Sequence, residues 1–113
     1  MKYPKEYLDE IKTRLKVSTV VSKSVNLKKR GKEFVGLSPF KTEKTPSFTI
    51  NDEKGFYHCF STAEHGNIFD FIMKTQNLKF GEAVKYLANL AGMQPYTFSK
   101  KDEEREKQWN EYS

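Results

Sequence analysis

The most constraining stretch of this chain lies between Gly31 and Gly66. From Leu37 to Phe48 it reads Leu-Ser-Pro-Phe-Lys-Thr-Glu-Lys-Thr-Pro-Ser-Phe. Pro39 and Pro46 each fix φ, remove a backbone donor and push the preceding residue away from the helical region, so this is an ordered loop entering a strand. Asn51 to Gly55 has the composition of a turn, and Phe56-Tyr57-His58-Cys59-Phe60 leaves it as an aromatic-rich strand. Side chains alternate along a strand, so Phe48 and Ile50 share one face before the turn. After it, Phe56, His58 and Phe60 share one face, and Tyr57 and Cys59 share the other. Alternation fixes these sides without saying which of them is buried.

The flanks supply helices. Pro4 opens a segment over Lys5 to Leu15 in which Leu8, Ile11 and Leu15 fall on one face. Val17, Val20 and Val21 predict a second short helix. Val25 and Leu27 alternate with polar residues into a strand, Lys28-Lys29-Arg30-Gly31 reads as a basic turn, and Phe34 to Leu37 is expected to pair back on the Val25 strand. A third helix is predicted to start at Asn67, with Asn67 or Gly66 as its cap and Ile68, Phe69, Ile72 and Met73 as its apolar stripe. A fourth is predicted from Phe80 to Ala91, stopped by Gly92. The expected fold class is α+β, a small antiparallel sheet flanked by helices. Residues 1–98 form the expected domain. Residues 99–113 read as a densely charged linker or helix, a solvated segment rather than a basic binding arm.

The runs "LKKRGKEFVGLSPFKTEKTPSFTI", "GFYHCF", "HGNIFDFIM" and "FGEAVKYLANLAGM" resemble the N-terminal zinc-binding domain of bacterial (DnaG-type) DNA primase. The resemblance implies a zinc-ribbon-like core. In that family the loop reads Cys-Pro-Phe-His and the strand end reads Cys-x-x-Cys, four ligands for one structural zinc. Here Ser38 stands for the first Cys, Lys41 for the His and Thr62 for the last Cys, and Cys59 alone matches. The metal is therefore expected to be lost and no cofactor is expected in this domain. Packing of Phe40 on Phe60, hydroxyl hydrogen bonds and a Lys41–Glu64 pair are the expected replacements. A site rescued by Cys59 and His65 is the alternative, with two ligands where a structural zinc takes four. Because His58 and Cys59 are adjacent on a strand, they point to opposite faces and are poorly placed to share an ion.

Composition narrows the class. A chain of 113 residues can bury a core without an obligatory metal, although a structural zinc contributes ~10 kcal/mol or more in small modules. Mean hydropathy is low at -0.79, but nine Phe and six Tyr supply apolar area. A single Cys excludes an intrachain disulfide and a Cys-x-x-Cys redox pair. No membrane span or secretory signal is evident, and a cytoplasmic, monomeric protein is expected. The carboxylates show no grouping that would hold catalytic metal ions and there is no glycine-rich phosphate loop, so no catalytic residue is assigned.

A net charge of +5 suggests an acidic partner. Lys28, Lys29, Arg30 and Lys32 cluster around Gly31, with Lys44 in the adjoining loop. Tyr57, together with Phe48 or Phe56, would stack on bases if exposed and would be core if not. The resemblance implies that the domain holds single-stranded DNA template and recognises initiation sites, with Lys28, Lys29, Arg30, Lys32 and Lys44 on phosphates and Tyr57 and His58 on bases. It also implies a polymerase domain as neighbour, Mg in the parent enzyme's polymerising centre, and contact with the replicative helicase through the parent chain. The alternative is a protein-docking module that uses Phe56 and Tyr57.

Overall fold

In a computed structural model, which describes residues 2–98, nine elements follow one another: α1 (Lys5–Arg14), α2 (Val17–Val21), β1 (Lys28–Arg30), β2 (Glu33–Gly36), β3 (Phe48–Asn51), β4 (Phe56–Cys59), β5 (His65–Gly66), α3 (Ile68–Gln76) and α4 (Phe80–Leu90). The charged segment 99–113 lies outside the described residues. The five strands form an antiparallel meander in the order β1-β2-β3-β4-β5. This is the expected α+β class, with two helices before the sheet and two after it. Among the described residues no helix is long and apolar enough to cross a membrane.

The first hairpin departs from expectation. Val25 is buried ahead of the sheet, and the strand itself is the basic run Lys28–Arg30. Arg30 pairs with Glu33 across a two-residue turn made by Gly31 and Lys32. Gly31 has φ +61, the conformation that a tight hairpin turn with glycine in its first central position demands. Gly36 explains how the chain reaches this edge. A Cβ there would lie 2.5 Å from the Asn26 carbonyl oxygen, so only glycine lets the Val25–Leu27 segment pass against β2.

The helices cover one face of the sheet. Phe48 and Ile50 of β3 and Tyr57 and Cys59 of β4 point into a core shared with Ile11, Val21, Ile68, Phe71, Val84 and Leu87. α3 starts on a capping box: the Asn67 side chain accepts the Phe69 and Asp70 N–H groups, and the Asp70 carboxylate accepts the Asn67 N–H. α4 has no side-chain N-cap, but the Glu82 carboxylate accepts the Lys79 N–H at 2.9 Å. At the far end, Tyr96 and Phe98 pack on Tyr3, Tyr96 also packs on Tyr7, and the Tyr7 hydroxyl donates to the Gln94 carbonyl at 2.7 Å. The chain leaving α4 is thereby strapped to α1.

Four rings anchor the proline-bounded loop to this core. Phe40 contacts Phe48, Tyr57 and Phe71, with centroids 5.9–6.5 Å apart, and the other three rings contact one another. Such pairs add ~0.5–1.5 kcal/mol each beyond area burial. The expected Phe40–Phe60 contact is replaced by this cluster, because Phe60 follows Cys59 on the opposite side of the strand and is 70% exposed. Phe40→Ala is therefore expected to cost about 3 kcal/mol in urea unfolding and Phe60→Ala less than about 0.5 kcal/mol. Equal losses would contradict the division of the two rings between core and surface.

Candidate nucleic-acid interface

Two features of the sheet end concern function: the knuckle that the loop makes against β4, and the sheet face that no helix among the described residues covers. In the knuckle the centre is a carboxylate. Glu43 accepts the Ser38 N–H at 2.9 Å, the Ser47 N–H at 3.1 Å, the Ser47 hydroxyl at 2.7 Å and the Ser61 hydroxyl at 3.0 Å. One side chain thus ties the start of the loop, its end and the residue beyond β4. The Ser47 hydroxyl, then the Ser38 N–H and the Ser61 hydroxyl, hold the Glu43 carboxyl below its ordinary value, against the opposing effect of burial.

Cys59 lies beside this hub. As a thiol it donates to the Ser38 hydroxyl oxygen at 3.1 Å, and it lies 3.3 Å from the Ser61 hydroxyl. Burial pushes the Cys59 thiol up, but hydrogen bonds from the Ser38, Ser61 and Thr62 hydroxyls outweigh it and bring the group to about 6. The Ser61 proton serves either Glu43 or Cys59 at a given moment, so the two acids compete for one donor.

The positions that correspond to zinc ligands do not suit zinc. Ser38 and Cys59 still touch, but Ser38 also accepts the Phe40 N–H at 3.0 Å, and the Thr62 hydroxyl accepts the Glu64 N–H at 3.3 Å. Lys41 is exposed. One soft donor among two hydroxyls and an ammonium is not a tetrahedral zinc set. Among the described residues no three His, Cys, Asp or Glu side chains come together around a common point. The expected Lys41–Glu64 pair does not form, because Glu64 pairs with Lys74 at 2.5 Å.

The open face of the sheet follows from register. Lys28, Val35, Thr49, His58 and His65 form one continuous row across all five strands. Arg30 with Glu33, and Asn51 with Phe56, belong to the next row on the same side. Phe56 is 55% exposed and Phe60 70%, and Phe60 meets the His58 ring edge-on at 4.4 Å. His58 and His65 stack with centroids 6.2 Å apart.

The basic residues read from the sequence divide across this geometry. Lys28 and Arg30 lie on the open side. Lys29 pairs with Phe34, whose row continues to Ile50 and Tyr57, so it belongs to the helix-covered side. Lys32 sits in the hairpin turn, and Lys44 is exposed in the knuckle loop. Tyr57 is 1% exposed, which removes its ring as a platform for bases. Among the described residues its buried hydroxyl has no hydrogen-bond partner within ordinary distance, although Lys74 Nζ lies 5.9 Å from the ring centroid. Burial raises the Tyr57 phenol, against the pull of Lys74. His58, Phe56 and Phe60 form the accessible aromatic set. Sequence alternation had grouped these three together but could not orient them.

Residues 3–104 match the family model described as CHC2 zinc finger of the DnaG zinc ribbon. This chain belongs to that family. It is 42% identical over 94 residues to the DNA primase of Haemophilus influenzae, which covers 82% of this chain and 16% of the relative. It is 42% identical over 91 residues to the DNA primase of Escherichia coli K12, covering 80% of this chain and 16% of the relative. Against the DNA primase of Pseudomonas putida the identity is 45% over 91 residues, covering 80% of this chain and 14% of the relative. The crystal structure of the Aquifex aeolicus primase zinc-binding and RNA polymerase domains superposes with a TM-score of 0.75 at 27% identity, over 84% of this chain and 24% of that one. The domain therefore spans about one sixth of the length of the primases it resembles. Its fold is that of a primase zinc-binding domain, with a polar cluster of Ser38, Ser47, Cys59 and Ser61 gathered at Glu43 in the knuckle.

Because the Glu43 carboxyl is depressed in the folded state, its contribution is present above the ordinary value of 4.5 and is lost as pH falls through the lower folded value. Glu43→Gln is expected to lower Tm at pH 7, while Lys41→Ala leaves it nearly unchanged. The difference between wild type and Glu43→Gln should shrink as the melts are taken to acid. A gap that stays constant from pH 7 to acid would show that the carboxylate charge is not what ties the knuckle.

Proposed function

We propose that this primase-family domain holds single-stranded DNA template across the open face of its sheet, and that it does so without zinc. One observation carries the reading: the row that ends in Lys28 and the row that contains Arg30 put cations at one side of an uncovered surface whose other side is Phe56, His58 and Phe60. Phosphates on a basic track beside bases on aromatic faces is how unpaired strands are held without a duplex groove. Lys28, Arg30, Lys32 and Lys44 take the phosphate role, and His58 takes a base-contacting role with Phe56 and Phe60. Lys29 faces the other side and contributes through charge alone.

By this reading residues 1–98 are a template-binding unit. Residues 99–113 lead toward an RNA-polymerising domain, the kind of domain present beside the zinc-binding domain in the Aquifex aeolicus chain. The polymerase domain supplies catalysis and its Mg, the replicative helicase is met elsewhere in the parent chain, and this unit biases where an RNA primer starts. The exposed Phe56 and Phe60 also suit a second reading, in which the same face docks on another replication protein.

Salt separates the two. Affinity for a labelled single-stranded oligonucleotide is expected to fall with log salt at ~0.7 per neutralised phosphate, and Lys28→Ala with Arg30→Ala is expected to reduce that slope by ~1.4. Lys29→Ala should change it less than Arg30→Ala. A flat salt response would favour docking. In the same preparation, metal analysis is expected to find no stoichiometric zinc, and a chelator should leave the thermal melt in place. A melt that collapses with chelator would refute the zinc-free knuckle.

A further inference from the structure

The open face is not flat. Glu33, Thr49, Asn51, Lys54, Phe56, His58 and Phe60 line a groove of about 210 Å³. That is smaller than the ~300 Å³ at which pockets for drug-sized ligands begin, so it suits one flat ring system rather than a folded segment. Its aromatic wall is the outward side of β4, where Phe56 and Phe60 lie on either side of His58 along the strand. Its polar wall comes from β2 and β3.

The chemistry of that polar wall is uneven. The Thr49 hydroxyl is occupied, donating to the His58 carbonyl at 3.2 Å, and the Asn51 side-chain oxygen accepts the Lys54 N–H at 2.9 Å. Glu33 is exposed at the groove's edge, and among the described residues its carboxylate takes part in no hydrogen bond or ion pair. It lies opposite Arg30 in the β1–β2 register without an ion pair between them. An ionised carboxylate accepts only, through two oxygens side by side. On a surface that otherwise gathers cations for phosphates, one acceptor-only group beside aromatic rings serves base edges and opposes phosphate.

From these observations we propose that the groove takes one unpaired base of the template and that Glu33 makes it selective for guanine. Guanine offers N1–H and an exocyclic N2–H on one edge, two parallel donors that match both carboxylate oxygens. Cytosine and adenine offer one exocyclic amine beside an acceptor nitrogen. Thymine offers a single N–H between two carbonyl oxygens, which the carboxylate repels. Arg30, next to Glu33, matches the O6 and N7 acceptors of the same base class. Stacking on the Phe56–His58–Phe60 side is indifferent to base identity, so affinity comes from the rings and the lysines while discrimination comes from Glu33. This inference rests on the template-binding reading above and adds a specificity residue to it.

The test uses the 113-residue chain and four fluorescein-labelled twelve-nucleotide strands, all thymidine except for one central dG, dA, dC or dT. Anisotropy titrations at fixed salt are expected to show the dG strand binding about tenfold tighter than the all-thymidine strand, the scale of one two-bond carboxylate contact. Glu33→Gln, which keeps the size but places a donor amine on the groove, is expected to bring that ratio to within about twofold. Glu33→Asp, which keeps the charge on a shorter arm, should retain a reduced dG preference. Salt-dependent binding of all four strands with equal affinity would overturn the guanine site and leave template binding standing. A dG preference that survives in Glu33→Gln would overturn the role of Glu33. No binding of any strand would overturn both readings.

Discussion

The Glu43 carboxylate collects backbone donors from Ser38 and Ser47 and hydroxyl donors from Ser47 and Ser61, and through them one side chain joins three points of the chain. A metal ion in such a knuckle works by demanding four ligands at fixed distances. An anion surrounded by donors meets the same topological need with opposite charge: the loop ends converge on it because each N–H and O–H needs an acceptor. The trade has a cost in pH range. A zinc–thiolate knuckle fails when its thiolates are protonated, and the hub of this one weakens when a carboxyl held below its ordinary value takes up a proton.

The knuckle matters for what lies beside it. Fixing Phe40 onto Phe48, Tyr57 and Phe71 sets β3 and β4 against the helices by one face. Among the described residues the other face is open, since the two helices before the sheet and the two after it share one core. A one-sided antiparallel sheet normally carries polar residues outward. Here it carries Phe56, Phe60 and two histidines beside a basic edge strand. Three consecutive cations on an edge strand are of the kind that discourages edge-to-edge association. Core packing is thus confined to one side of five short strands, and the proposed binding face is the other.

Cys59, the one residue that matches the family's ligand pattern, sits with Ser38 in a hydrogen-bonded cluster rather than a coordination sphere. The family relationship therefore carries over as a fold, whereas the property that names the family depends on side chains, and by the resemblance three of its four ligand positions hold Ser38, Lys41 and Thr62 here. Local sequence resemblance detects the first and direct inspection of donor atoms detects the second.

Much of this was legible from residue order. The prolines marked the loop, alternation separated Phe56, His58 and Phe60 from Tyr57 and Cys59, periodicity placed the helices, and the motif resemblance named the fold. These are local properties, set by φ restriction and by the two- and 3.6-residue repeats. What the chain order left open was decided by pairing and packing. Lys29 was separated from Lys28 and Arg30 because the basic run proved to be a strand and not a turn, which sends neighbours to opposite faces. Tyr57 went inside and Phe60 outside because the helices chose one side of β4. Glu43 became the hub because Ser38, Ser47 and Ser61, distant in sequence, all needed an acceptor at the same point in space.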